Sequence, residues 1–234
     1  MSVIHYLPIV TTAISVPFCL ALWQRFQARP AATYYLCWCI GIAIYGLGTL
    51  AEALTTLFGW HAVIFRLWYV AGALLGGAPL AQGSVYLLLK RRTANRLTAL
   101  LLTYVGIAIT CVLLSPLDPA KAETHRLSGA VLEWHWVRYL SPFVNTYAVV
   151  FLIGGAIVSA VRYSRQTETR HRFLGNVLIA VGAILPGIGG AATRLGHVEV
   201  LYVTELVGLL LIWSGYRLNI GGAAIPLAPV APGA

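Results

Sequence analysis

Two carboxylates, Glu52 and Glu205, sit inside long apolar runs, where an ionised group is costly and therefore marks function by default. Glu52 lies six residues before the end of its run and Glu205 seven residues into another. At a helical rise of about 1.5 Å per residue, both come to rest roughly 10 Å below the same face of a membrane. Other polar groups gather at that level. Arg66 enters one run and Tyr69 follows a turn later, Arg138, Ser141 and Asn145 share a helical face, Arg194 closes a run, and Glu199 and Tyr202 precede Glu205. By spacing, Trp38, Tyr45, Gly48, Glu52 and Thr55 form one stripe. If these faces converge, they make an aromatic-lined polar pocket open to the outside, with Glu52, Arg66, Tyr69, Arg138, Asn145, Arg194, Tyr202 and Glu205 as its ligand-binding residues. The same residues fit two other roles. Arg66 with Glu52, and Arg194 with Glu199 or Glu205, would serve as ion pairs tying helices together, because an unpaired charge is costly in a low-dielectric interior. Alternatively, a buried carboxylic acid could donate a proton in catalysis. No residue is singled out as catalytic.

The remaining reactive side chains carry less. His5, His61, His125, His135 and His197 all map to the side of the membrane near Glu52, and His171 to the other. None has the HxxxH or HExxH spacing of metal ligands on one helix, so they are read as scattered interfacial side chains, and neither a metal nor a cofactor is expected. Cys19, Cys37, Cys39 and Cys111 fall within apolar runs as small packing residues. Cys37 and Cys39 are two apart and point different ways on a helix, so no disulfide is expected. The two lysines, Lys90 and Lys121, lie between runs, which excludes a retinal Schiff base in the last helix. No Walker, GxSxG or HExxH motif occurs.

The elements that must position these groups are apolar helices. Of 234 residues 59% are hydrophobic and 10% charged, against about 25% charged in soluble domains. Such a chain cannot cover a wetted surface. Seven runs separate at their charged punctuation: roughly Val3–Trp23, Ala32–Phe58, Ala62–Leu89, Leu97–Pro116, Val137–Val161, Phe173–Thr193 and Val198–Tyr216. The fold class is all-α, a polytopic bundle of seven transmembrane helices over residues 1–219, followed by a flexible low-complexity cytoplasmic tail over 220–234 (GGAAIPLAPVAPGA after Asn219). The first run lacks a basic leader and a small-residue cleavage site, so it reads as a retained helix and not a signal peptide. With seven spans, eleven Lys and Arg fall on one side and five on the other. The positive-inside rule then places the N-terminus outside and the C-terminus in the cytoplasm. The net charge of +9 is thus a topology signal, and no nucleic-acid partner is expected. The longest loop, about Leu117 to Trp136, is external, and its Trp134-His135-Trp136 cluster is an interfacial anchor. Small residues recur at packing distance in Gly72/Gly76 and in Ala183, Gly187 and Ala191, which suits packing within the bundle.

The stretch Tyr34 to Arg96 contains YLCWCIGIAIYGLGTLAEAL and then WHAVIFRLWYVAGALLGGAPLAQGSVYLLLKRR. An aromatic second helix ending near a Glu, a short loop, and the FRLWYVAG entry to the third helix together resemble the seven-helix sensor region that precedes bacterial histidine kinases. The ending YVTELVGLLLIWSGYRL is similar to the last helix of such regions. The resemblance implies a membrane-embedded sensor in a bacterial cell (inner) membrane. After Arg217 only the short tail follows, so a stand-alone module would act through a separate cytoplasmic or membrane protein partner. Its other expected partners are membrane lipid and an amphipathic or apolar small-molecule ligand. Two alternatives come from other classes. In a membrane-integral enzyme similar to terpene cyclases, Glu52 and Glu205 would act as acid and counter-charge, and Trp38, Tyr45, Trp68, Tyr69 and Tyr202 would steady a carbocation. The other alternative is a small transporter, in which paired interrupted helices would be expected in corresponding halves, or a structural subunit of a membrane complex.

Overall fold

A computed structural model describes residues 3–123, 126–164 and 169–221. Seven helices are long and apolar enough to cross a membrane: α1 (Val3–Ala28), α2 (Thr33–Phe58), α3 (Ala62–Leu88), α4 (Arg91–Leu114), α5 (His135–Tyr163), α6 (Arg170–Arg194) and α7 (Val198–Gly221). The described residues hold no strand, only isolated bridges in the α4–α5 connection. The chain is an all-α bundle with the make-up of a multi-pass membrane protein. Its outward surface agrees: on α4, Leu100, Leu102 and Ile107 are 68%, 65% and 60% exposed, an apolar covering that suits a lipid surrounding. Several helices run past the apolar runs into basic residues, taking in Arg25, Arg91 and Arg170, because long cationic side chains keep their heads in water while the helix continues. Helix α7 continues through Gly221; the expected tail beyond it, together with His125 and Arg165, lies outside the described residues.

Two helices are interrupted near mid-length. Helix α3 passes into a π-helical stretch, Tyr69–Leu75, that ends at Gly76 with φ +39°, and Pro79 then starts a fresh α-helical segment. Helix α5 has a π-helical stretch at Val149–Ile153. The helix ends are set locally. Gly59 (φ +79°) closes α2, and the His61 ring accepts from the Val63 amide at 3.3 Å to open α3. Gly196 (φ +97°) turns α6 tightly back into α7.

That antiparallel α6–α7 pair is the closest helix contact. A Cβ built on Gly175 would meet the Gly215 carbonyl at 2.8 Å, and one on Gly182 would meet the Gly208 carbonyl at 2.7 Å. One on Gly189 would reach the Leu201 Cα at 2.7 Å. The row is therefore Gly175, Gly182 and Gly189, seven apart, against Leu201, Gly208 and Gly215. The sequence reading placed it on Ala183, Gly187 and Ala191; a Cβ on Gly187 meets nothing within 4 Å. Gly72 does pack inside the bundle, where it leaves room for Gly48 of α2.

The α4–α5 connection, expected as a loop, is folded onto the bundle. Asp118 N donates to Val131 O at 2.9 Å and Glu133 N to Pro116 O at 3.1 Å. Leu127, Val131 and Leu132 then bury among Phe65, Tyr69 and Val112. The segment caps one end of the bundle. Trp134 and Trp136 stack beside it, 6.1 Å apart and 17° from parallel.

Candidate functional site

The helices α2 and α7 bring Glu52 and Glu205 together. Glu52 is 4% exposed, and its Oε1 accepts from Trp68 Nε1 at 3.0 Å. The two carboxyl groups lie within electrostatic range of each other, and Oε2 of each has no hydrogen-bond partner among the described residues. Aromatic groups wall the pair. The Tyr45 hydroxyl donates to the Glu205 backbone carbonyl at 2.9 Å. Tyr202, 3% exposed and one turn before Glu205, lies beside Thr56 and in the field of both glutamates. The His5 ring meets Tyr202 edge-on at 6.0 Å, with its Nε2 3.8 Å from Glu199 Oε1. Together they form an acid pair inside an aromatic wall, closed on one side by the first turns of α1.

A second group adjoins it through neighbouring residues Trp68 and Tyr69, whose rings are 6.1 Å apart. Tyr69 is buried beside Ser141, within electrostatic range of Arg138 and Arg194. The capping segment closes over it: a Cβ on Gly129 would meet Tyr69 Cε2 at 2.9 Å and Arg138 Nε at 3.5 Å.

Two residues expected in the pocket serve the backbone instead. Arg66 does not pair with Glu52. Its Nη1 donates to the Leu113 carbonyl and its Nη2 to Ser115 O at 3.1 Å, because the last carbonyls of α4 lack helical partners and attract a cation. Asn145 Nδ2 donates to Ala73 O at 3.3 Å, a carbonyl in the π-helical stretch of α3. Arg194 forms no ion pair with Glu199 or Glu205 among the described residues.

Three features were not foreseen. A polar network ties α3, α4 and α5 in the other half of the bundle. Gln82 Nε2 donates to Thr98 Oγ1 at 2.8 Å, Thr98 to Tyr86 Oη at 2.9 Å, and Tyr86 to Asn95 Oδ1 at 3.0 Å, while the Tyr147 hydroxyl donates to Gln82 Oε1. A glutamine inside an apolar run signals such glue. Secondly, Cys19 and Cys39 of α1 and α2 approach to 3.3 Å between sulfurs; their adjacency depends on helix pairing that spacing within one helix does not reveal. Thirdly, a cavity of about 470 Å³ opens in the same half as the glutamine network. Comparison of the chain with protein-family models, with curated proteins and with solved structures finds no match.

Proposed function

We propose that the chain is a sensor module of a bacterial cell membrane, with its N-terminus outside, and that Glu52 and Glu205 form the polar centre of its ligand site. The observation that carries this reading is the facing carboxyl pair, walled by Trp68, Tyr45 and Tyr202. The unpartnered Oε2 of each glutamate can accept from a ligand. A small amphipathic molecule offering a hydroxyl or amine would donate to both and draw α2 and α7 into a different relation. The basic residues that the sequence gathers at the opposite end favour the cytoplasm and offer a cationic surface to an output protein with an anionic face. The test is mass spectrometry of small molecules and proteins that co-purify with the gently solubilised chain. A lipid-like molecule present with the unaltered chain and lost from Glu52→Gln/Glu205→Gln is the expected result. A stable protein partner with no such molecule would overturn the ligand reading and leave the carboxyls as helix glue. A second reading rests on the same ring of aromatics around a buried acid, the arrangement that an olefin-protonating cyclase needs. Turnover of the co-purified molecule would favour it over sensing.

A further inference from the structure

The half of the bundle away from the glutamates holds the cavity of about 470 Å³, bounded by α1, α2, α3, α5, α6 and α7. This volume is in the range of small-molecule sites and suits a single acyl chain or a small ring system. Its inner wall is apolar, with Phe18, Leu22, Ile42 and Leu152. Tyr34, Tyr35 and Trp38 form one aromatic edge, with ring centroids 4.5–5.9 Å apart. Polar groups line the cavity at the helix ends: Arg162 at the end of α5 and Arg172 at the start of α6.

Two observations show that this space is more than a packing gap. Tyr216 lines it and is 6% exposed, yet its hydroxyl has no hydrogen-bond partner among the described residues. A buried phenol without an acceptor costs free energy that a ligand oxygen would recover. Secondly, neither Arg162 nor Arg172 pairs with a carboxylate among the described residues. Arg172 instead lies 5.6 Å over the Tyr163 ring. Arg25 and Arg217 lie within electrostatic range of Tyr216, Asn176 and Asn219 line the same end of the cavity, and Glu168 of the α5–α6 connection lies outside the described residues. The cavity thus joins an apolar interior, a buried donor and a positive mouth that has no carboxylate partner among the described residues.

We propose that this cavity binds an anionic amphiphile with one apolar chain, its chain against Phe18, Leu22 and Ile42, its anionic head on Arg162 and Arg172, and an oxygen of the head or its linkage accepting from Tyr216. The site is distinct from the carboxyl pair and stands whatever that pair does.

The test uses the full chain in detergent and 9,10-dibromostearate, whose bromines quench tryptophan fluorescence. Trp38 lines the cavity, so quenching is expected, with a component lost in Trp38→Phe. Arg162→Ala/Arg172→Ala should weaken binding about tenfold, the scale of lost charge-assisted contacts. Tyr216→Phe, which keeps the ring and the fold, should weaken it about threefold. The neutral monoglyceride of the same acid should bind more weakly and without dependence on the arginines. Displacement by oleate or by oleoyl lysophosphatidate would identify the head as carboxylate or phosphate, and displacement by neither would overturn the proposal. Equal binding of acid and neutral ester, or unchanged binding in the arginine variant, would overturn it as well. So would quenching that arises only when the chain is ended at Gly221, since the tail would then be the occupant.

Discussion

Helices α6 and α7 are joined where side chains are missing, whereas α4 is joined where polar side chains reach across. At Gly175, Gly182 and Gly189 the backbones come so close that a Cβ would strike the facing main chain at 2.7–2.8 Å. Helix α4 exposes much of its apolar surface and is held by Gln82 and Tyr86 of α3 on Thr98 and Asn95, by the Arg66 guanidinium at its last carbonyls, and by Tyr104, whose hydroxyl donates to Leu140 O at 3.1 Å. Apolar burial gives little drive for helix association when lipid is itself apolar. The two regions show the remaining choices: dense van der Waals contact over a long seam, or a few directional bonds.

The contrast makes graded expectations. The largest effect belongs to Gly182→Val. Its added carbons must displace the Gly208 backbone, so a loss of about 3 kcal/mol is expected, seen as a large drop in thermal unfolding temperature in detergent. A small drop there would mean that the seam opens easily and would remove the contrast. Gln82→Leu comes next, at about 1–2 kcal/mol, because it leaves the Tyr147 hydroxyl without its acceptor; Tyr147→Phe in the same background should recover part of the loss, measured as a double-mutant cycle. Arg66→Ala should cost about 1 kcal/mol by freeing the Leu113 and Ser115 carbonyls, and hydrogen exchange should rise at the end of α4 but not in α7. The smallest effect is at Asp118. Its hydrogen bond to Lys121 holds its carboxyl below the usual carboxylate range. The turn it braces is therefore intact above the ordinary aspartate pKa and is lost as pH falls through the depressed value. Asp118→Asn should leave the unfolding temperature unchanged and abolish that local acid response, read by exchange at Ala120.

Hydropathy and charge punctuation made the seven spans legible, since each is a one-dimensional signal. The shared depth of Glu52 and Glu205 was legible too, by counting residues from the helix ends. That the two carboxyls face each other was not, because depth does not fix rotation. Arg66 was matched to Glu52 on charge alone, and the competing attraction of free helix carbonyls is invisible to that argument. The glycine seam was missed for a related reason. A four-residue pattern describes one helix near a crossing, whereas a long antiparallel seam repeats every two turns and is recognisable only when Gly208 and Gly215 of the partner helix are set beside Gly175 and Gly182. The cavity is a product of six helices at once, and no single stretch of residues encodes it.

The π-helical stretches in α3 and α5 have a mechanical consequence. A π turn inserts residues into the helical count, so the two halves of each helix follow different angular phases. Trp68, before the stretch in α3, donates to Glu52 of α2, and Gln82, after it, donates to Thr98 of α4. Where the ladder of hydrogen bonds widens, a helix still transmits push and pull along its axis but passes on little torque. Placed near mid-length of two helices, such joints divide each into two segments: in α3 the one before the joint carries Trp68 to Glu52, and the one after it carries Gln82 to Thr98.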